Sequence, residues 1–309
     1  MNHGSIERFI GFLLNGVLVL LVVGGILLNV FIVTVSLNCW KKFRPLQSID
    51  VIITGLAMVR IILLISYNLF IIDNMSDKKI KHLVIARKYL MPLSMSAEFC
   101  NLWWGSVLCV FYCAKITNYS NRLFIMIKRN ISKMIPWLLL LSLALSVLSC
   151  LPSRWFVFYH KSLNGTDSTN VTIELNRLHF FLIRLAGSII PFVILCFSIG
   201  LLILSLIRHT RRLASQGSGF RDVQRDVHLD VIRSMVSFLV LCILYFLGSN
   251  LLPVSMILRK QLLTAFCFTT YVIFPSLHSV SFIISNKELK KAFLTALHWL
   301  RIRRRDLGT

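Results

Sequence analysis

Glu98 is an acidic residue inside an apolar run, residues 86–114, that is long enough to cross a lipid bilayer. A carboxylate at that depth costs about 2.5–3.5 kcal/mol on insertion scales, so its side chain should face protein or a water-filled cavity. Helical spacing places Ser94, Asn101 and Gly105 on the same face as Glu98. The pattern predicts a recognition site in which Glu98 looks into an internal ligand pocket.

Three further polar residues lie inside apolar runs and need partners there. Asn29 is expected to hydrogen-bond a polar group of the second helix. Arg60 lies about three turns into that helix, and it should reach Asn29, backbone carbonyls or water. It either pins the structure, the reading we favour, or contacts a ligand directly. Arg184 lies near the start of the fifth run, where it either lines the pocket entrance or extends its charged end outwards.

The last apolar run contains a proline followed by polar side chains. Pro275 should kink the helix, and Ser276, Ser279 or water should satisfy the freed backbone groups. His278 is either a proton-coupled switch or a neutral, hydrogen-bonded packing residue, and we favour the second reading. We therefore predict a structural polar core made of Asn29, Arg60, Pro275, His278 and Ser279.

Seven apolar runs position these side chains, and each is long enough to span about 30 Å of hydrocarbon as a helix. The 309 residues are 56% hydrophobic and only 15% charged, which argues against an ordinary soluble domain. We predict an all-α membrane protein, a seven-transmembrane helix bundle formed by residues 1–285. Its helices should cover residues 10–39, 48–72, 86–114, 134–152, 179–207, 231–257 and 262–285.

The positive charges lie between the apolar runs, so the net charge of +22 indicates membrane topology rather than nucleic-acid binding. With the N-terminus outside, 21 of the 34 lysines and arginines fall in inner segments and 11 in outer ones. The basic loop 78–88 opposes this orientation, but the total favours it. We predict a multi-pass protein of the plasma membrane with an extracellular N-terminus.

Residues 286–309 form a cytoplasmic amphipathic helix and a basic tail in this prediction. Leu289, Phe293, Ala296, Leu297 and Leu300 recur at i, i+4, i+7, i+8 and i+11, with lysines and arginines opposite. Such a helix is expected to lie in the inner membrane surface. A calmodulin-binding segment is a weaker alternative.

Two sequons, at Asn164 and Asn170, lie in the longest outer loop, and we predict glycosylation at these two asparagines alone. Two more, at Asn118 and Asn130, fall on the inner side. The eight cysteines are interpreted as small apolar packing residues, and none has metal-ligand spacing with histidine. We expect no metal and no cofactor.

Several short pieces, in order and at matching spacing, resemble the bitter taste receptor family, the type 2 taste receptors, which are G-protein-coupled. They cover six of the seven helices. The pieces are Asn29, Leu46-x-Ser-x-Asp50 through Leu56-Ala-x-x-Arg60, Trp103, Phe111-Tyr-x-x-Lys115-Ile-x-Asn-x-Ser120, Ile190-Pro-Phe, Leu204-Ser-Leu-x-x-His209, Ser237-Phe-Leu, Phe274-Pro-Ser-x-His278-Ser and Asn286-Lys-x-Leu-Lys.

The resemblance implies a pocket open to the outside, bitter or related amphipathic small molecules as ligands, and coupling to a gustducin-like heterotrimeric G protein. The ligand-binding residues expected are Ser94, Met95, Glu98, Asn101, Arg184, Tyr245, Ser249, Phe268 and Tyr271. The residues expected at the G-protein interface are Tyr112, Lys115, His209 and Arg233.

The chain departs from the family pattern at three positions of the expected pocket. Glu98 replaces a usual Asn, Ser94 replaces a frequent Trp, and Cys242 stands at a usual Tyr position, with Tyr245 one turn further out. An ionised Glu98 would favour cationic ligands, whereas a protonated Glu98, or one paired with Arg60, would not.

Other functional classes fit the sequence less well. A retinal pigment needs a lysine in the seventh helix, and residues 262–285 contain none. An enzyme is not expected, since carboxylates inside the runs are few. A vomeronasal type 1-like pheromone receptor is the nearest alternative, and a small membrane transporter is less favoured because internal repeats are not evident.

Overall fold

The structure, a computed structural model, describes residues 3–41, 47–75, 81–117, 122–153, 158–162, 171–175, 177–214, 220–258 and 260–306. The sequons at Asn164 and Asn170 lie outside these residues. The helices are α1 His3–Lys41, α2 Ser48–Met75, α3 Lys81–Ile116, α4 Arg122–Cys150, α5 Arg177–Ala214, α6 Phe220–Ile257, α7 Gln261–Ser285 and α8 Lys287–Asp306.

Seven of these helices, α1 to α7, are long and apolar enough to cross a membrane. The spans are Gly16–Trp40, Ser48–Leu69, Leu90–Ile116, Ile125–Cys150, Leu178–Arg208, Val231–Ile257 and Leu262–Ser285. The predicted fold class, an all-α protein with seven transmembrane helices, is therefore confirmed.

Several helices extend well beyond the apolar runs that predicted them. Helix α4 begins at Arg122 rather than near residue 134, so Pro136 lies inside it. Helix α5 continues to Ala214, and α6 already begins at Phe220. The reason is that hydropathy marks the part of a helix that lipid can cover, whereas Arg, Lys and Gln also favour helix outside lipid.

A two-stranded antiparallel hairpin lies in the segment predicted only as the longest outer loop. Strand β1, Phe158–Ser162, pairs with β2, Val171–Leu175, with Phe158 opposite Leu175 and Ser162 opposite Val171. In β2 the apolar residues alternate with Thr172 and Glu174, the period of a half-buried strand. The hairpin adds a small β element to an otherwise helical fold.

The chain divides into two compact units, the first made of residues 1–76 and 272–309. In this unit α1 is closely approached at Gly25, where a Cβ would fall on Ser276 Oγ and lie 3.0 Å from Leu64 Cδ1. The ring of Phe293 in α8 meets that of Phe31 in α1 edge-on, with centroids 5.7 Å apart. These contacts join α1, α2, α8 and the C-terminal half of α7.

Helix α8 follows α7 almost directly, and Asn286 caps it. The Asn286 Oδ1 accepts hydrogen bonds from the backbone N–H groups of Glu288 and Leu289, at 3.0 and 3.2 Å. Leu289 is buried, whereas Leu297 and Trp299 are exposed. One part of the predicted apolar stripe thus packs on protein, and the location of α8 at a membrane surface stays a prediction.

The second unit, residues 77–271, contains α3 to α6, the hairpin and the N-terminal part of α7. In an apolar 18-residue stretch of each span, 67% of α3 is buried against 17% of α6, so α3 is the most enclosed of the spans. Large apolar side chains of the other helices, such as Trp137 and Val193, are exposed. In a membrane protein such surfaces are covered by lipid tails.

Candidate functional site

Both carboxylate oxygens of Glu98 are hydrogen-bonded to side chains from other helices. Oε1 accepts from Arg184 Nη2 of α5 at 2.5 Å, and Oε2 accepts from the Tyr271 hydroxyl of α7 at 2.6 Å. Glu98 is only 1% exposed. The acid that the sequence places inside the apolar run therefore faces protein, where a cation balances its charge.

Arg184 extends this cluster to a fourth helix. Its Nε donates to the backbone carbonyl of Ser249 in α6 at 3.1 Å. The guanidinium also lies 5.2 Å from the ring centre of Phe180 and 5.3 Å from that of Tyr271, which are cation–π distances. The planar, forked guanidinium can serve a carboxylate and a carbonyl simultaneously.

Three other predicted ligand-binding residues surround this ion pair. The fully buried Tyr245 ring stacks on the Tyr271 ring, with centroids 5.7 Å apart and planes 8° apart. Asn101 faces the Tyr245 side chain, and Ser249 faces the Glu98 carboxylate. We call Glu98, Arg184, Tyr245, Ser249 and Tyr271 the Glu98 cluster.

The remaining predicted ligand-binding residues lie around this cluster rather than in it. Ser94 is half-buried one turn before Glu98, and its hydroxyl donates to the carbonyl of Met91 in its own helix. Phe268 is half-buried one turn before Tyr271. Met95 instead belongs to an adjacent apolar cluster with Phe99, Cys150 and Phe180.

The contact of Arg184 with Glu98 excludes one of the two alternatives for this arginine, and its place at a pocket entrance stays a prediction. Arg184 is 4% exposed and points inwards, so the alternative in which it extends outwards along lipid is wrong. Sequence reasoning did not predict this pair, although the two residues lie at similar depths in their membrane spans. Glu98 is eight residues and Arg184 six residues into spans that start at Leu90 and Leu178, or about 12 and 9 Å.

Helices α5 and α6 continue to contact each other beyond the cluster. Ser188 donates to Asn250 Oδ1 at 3.2 Å, and the rings of Phe192 and Phe246 stack with centroids 3.9 Å apart. Arg184, Ser188 and Phe192 are spaced at i, i+4 and i+8 and share one face of α5. We call these contacts, with the Arg184–Ser249 bond, the α5–α6 seam.

A second polar network lies in the first unit and connects α1, α2 and α7. Arg60 Nη2 donates to His278 Nδ1 at 2.5 Å, and Nη1 lies 3.4 Å from Ser279 Oγ. Ser279 Oγ is 2.8 Å from Asn29 Oδ1. Because a guanidinium can only donate, His278 accepts at Nδ1, and the proton of its neutral ring lies on Nε2.

The expectation that Asn29 would bind the second helix directly is wrong. Its Nδ2 donates to the Gly25 carbonyl of its own helix at 2.7 Å, and its Oδ1 is bonded to Ser279 of α7. Ser279 is the residue between Asn29 and Arg60 that connects the helices. Pro275 is buried in the same half of α7, and its carbonyl accepts from Ser279 Oγ at 2.8 Å.

The residues predicted at the G-protein interface lie near the ends of the membrane spans, which end at Ile116 and Arg208 and begin again at Val231. Lys115 is exposed, with Nζ 5.8 Å from the centre of the Phe111 ring, and Tyr112 is half-buried beside the same ring. Arg233 is exposed on α6. His209 lies in α5, but its side chain is outside the described residues.

The chemistry available at the Glu98 cluster is recognition by charge, hydrogen bonding and aromatic contact. Within the described part of the chain, the His, Cys, Asp and Glu side chains form no group of three that could hold a metal ion.

Comparison with known proteins gives a match over nearly the whole length. Residues 7–301 match the family described as taste receptor protein (TAS2R). Taste receptor type 2 member 104 of Rattus norvegicus is 31% identical over 297 residues, covering 90% of this chain and 92% of that protein. Member 9 of Macaca mulatta is 32% identical and covers 91% and 92%; member 7 of Pongo pygmaeus is 32% identical and covers 88% of each. These matches favour the taste receptors over the vomeronasal alternative.

Proposed function

The chain belongs to the taste receptor family, and we propose that it is a G-protein-coupled receptor for bitter, amphipathic small molecules. Members of this family are receptors rather than enzymes. The match extends over all seven spans, so the proposal concerns the whole chain rather than one motif. The observation that carries the proposed ligand site is the Glu98 cluster, which joins α3, α5, α6 and α7.

The ligand is proposed to rest on the Glu98 cluster from the side of the N-terminal ends of α3 and α7. Ser94 lies one turn above Glu98 on α3, and Phe268 lies one turn above Tyr271 on α7. Both are half-buried, whereas the cluster beneath them is almost fully buried. The cluster then forms the floor of the site, and the half-buried side chains contact the ligand.

Pairing with Arg184 changes the charge preference expected of this floor. A lone carboxylate would attract amines. The Glu98–Arg184 pair instead has no net charge, and its two charged groups are bonded to each other at 2.5 Å. Micromolar affinity needs only about −8 kcal/mol, which aromatic contacts and one or two hydrogen bonds can supply. We therefore propose that neutral and cationic bitter compounds are accepted equally.

Activation is proposed to pass through the α5–α6 seam to a heterotrimeric, gustducin-like G protein. An agonist shifts the equilibrium only insofar as it binds the active arrangement better. A ligand that presses on Arg184 acts on a side chain bonded to the α6 backbone at Ser249. The ends of the α3, α5 and α6 membrane spans, near Tyr112, Lys115, His209 and Arg233, would open to the G protein. The protein would lie in the plasma membrane with its N-terminus outside.

A calcium assay in cells that express a promiscuous G protein tests the function. Cells expressing the chain should respond to members of a bitter-compound panel, and mock-transfected cells should not. Surface labelling confirms that the receptor reaches the membrane. The proposed ligand class would be refuted if the receptor reached the cell surface but responded to no compound of a broad bitter panel.

The charge of the floor is tested separately with Glu98→Gln. This substitution should raise the half-maximal concentration of amine and neutral agonists by similar factors. The reason is that it disrupts the contacts of Glu98 with Arg184 and Tyr271 and does not remove an unpaired anion. Ser198→Ala is the matched control: Ser198 is buried on α5, and its hydroxyl donates to the Ile194 carbonyl of its own helix at 2.7 Å. A loss confined to amine agonists would contradict the paired floor.

A further inference from the structure

Helix α5 approaches α3 at Gly187 so closely that only a hydrogen atom fits. A Cβ at Gly187 would lie 2.5 Å from Phe99 Cζ and 2.7 and 2.9 Å from the two adjoining ring carbons. The Phe99 ring is fully buried among Met95, Cys150 and Phe180, so it has little room to turn away. Gly187 lies three residues after Arg184, and Phe99 is the residue after Glu98.

An equivalent approach brings α6 and α7 together at Gly248. A Cβ there would fall on Thr270 Oγ1 and lie 3.1 Å from the backbone oxygen of Cys267. The Thr270 hydroxyl donates to the Cys267 carbonyl at 2.9 Å, and its β-branched side chain has few alternative rotamers. Gly248 immediately precedes Ser249, and Thr270 immediately precedes Tyr271.

We propose that Gly187 and Gly248 are positioning residues of the ligand site. Gly187 sets the distance between α5 and α3 at which Arg184 meets Glu98. Gly248 sets the distance between α6 and α7 at which the Ser249 carbonyl and Tyr271 surround the same ion pair. The inference rests on the proposed function, because its effect on the receptor is read through agonists.

The size of the displacement supports this role. Carbon atoms pack at about 3.5–4.0 Å, so a methyl group at Gly187 must move α5 or the Phe99 ring by about 1 Å. Hydrogen bonds weaken steeply outside a narrow range of distance and angle. A displacement of α5 by about 1 Å away from α3 would lengthen the 2.5 Å bond between Arg184 and Glu98 towards the limit of hydrogen bonding.

Two other glycines of the same unit provide matched controls. A Cβ at Gly200 on α5 meets nothing within 4 Å, and one at Gly105 on α3 meets only Leu195 Cδ1 at 3.8 Å, an ordinary contact. Gly200→Ala and Gly105→Ala therefore test the general effect of alanine in these helices. Neither substitution should move the Glu98 cluster.

The experiment compares the alanine variants by agonist response and by thermal unfolding of the purified full chain. Gly187→Ala and Gly248→Ala should raise the half-maximal agonist concentration about tenfold or more, a shift of about 1.4 kcal/mol or larger. The two controls should stay close to wild type. Adding Phe99→Leu to Gly187→Ala removes the three colliding ring carbons and should restore most of the response. Adding Thr270→Ala to Gly248→Ala removes the colliding Oγ1 but leaves the Cys267 backbone oxygen 3.1 Å from the new Cβ, so it should restore part of the response.

A thermodynamic cycle separates positioning from simple helix packing. If Gly187 positions Arg184, Gly187→Ala should lower the unfolding temperature less in a Glu98→Gln/Arg184→Gln background than in the wild type, because the pair is already gone. An equal loss in both backgrounds, or no rescue by Phe99→Leu, would overturn the proposal. If the wild type answers no bitter compound, the proposed function fails, but the cycle still decides the positioning role.

Discussion

Removing Arg184 alone should destabilise the receptor more than removing both members of the Glu98–Arg184 pair. In Arg184→Gln the Glu98 carboxylate stays buried, with Tyr271 still donating to it, but its 2.5 Å cationic partner is gone. Breaking a buried pair from one side typically costs about 3–5 kcal/mol. In the double variant Glu98→Gln/Arg184→Gln no lone charge remains. The loss is then that of a few hydrogen bonds, about 1 kcal/mol each.

Thermal unfolding followed with a thiol-reactive dye can measure this order. Six of the eight cysteines are buried, so they react only when the receptor unfolds, whereas Cys39 is exposed. All variants should therefore carry Cys39→Ser to lower the background. The exposed Lys133 offers a control, because Lys133→Gln removes a surface charge and should leave the midpoint unchanged.

The unfolding temperature should be highest for the wild type, lower for the double variant and lowest for either single variant. The reasoning fails if the double variant unfolds at or below the temperature of both singles. In that case the two side chains would contribute independently, and the contact would not act as an ion pair. The double variant could recover stability without recovering the agonist response. That result would agree with a Glu98 cluster that also contacts the ligand.

Three further predictions use other parts of the structure. Tyr271→Phe keeps the ring stacking but removes a 2.6 Å hydrogen bond to Glu98, so unfolding measurements should show a loss of about 1.5–3 kcal/mol. Arg60→Lys keeps the charge but loses the forked contact with the first unit's polar network, so surface expression should fall while Arg60→Lys transcript levels do not change. Removing Asn164 and Asn170 together should abolish the glycosidase-sensitive shift on a gel, and a shift that persists would place another sequon outside.

The transmembrane architecture and the burial of Glu98 could be predicted because both follow from the cost of charge and open backbone in lipid. The seven apolar runs match seven helices that can span a membrane. Helix ends could not be predicted from the same signal, as α4 shows by starting at Arg122. The pairing of Phe158–Ser162 with Val171–Leu175 could not be predicted, because only the second strand has a clear alternating pattern.

The partners of the buried polar groups were harder to predict than their burial. Spacing along one helix shows which residues share a face, but it does not show which helix that face meets. On sequence grounds Arg60 is the arginine considered as a partner of Glu98. In the structure Arg184 pairs with Glu98, and Arg60 donates to His278. That the buried Asn29 amide needs a hydrogen-bond partner could be predicted. That this partner is Ser279 of α7, and not a residue of the second helix, could not.

The ion pair also constrains how this receptor can diverge. A lineage that changes either Glu98 or Arg184 first leaves the other side chain buried without its partner, which should lower the stability and hence the abundance of the protein. The two positions should therefore be inherited or lost as a couple among descendants, even while residues such as Ser94 drift freely and retune which compounds are tasted.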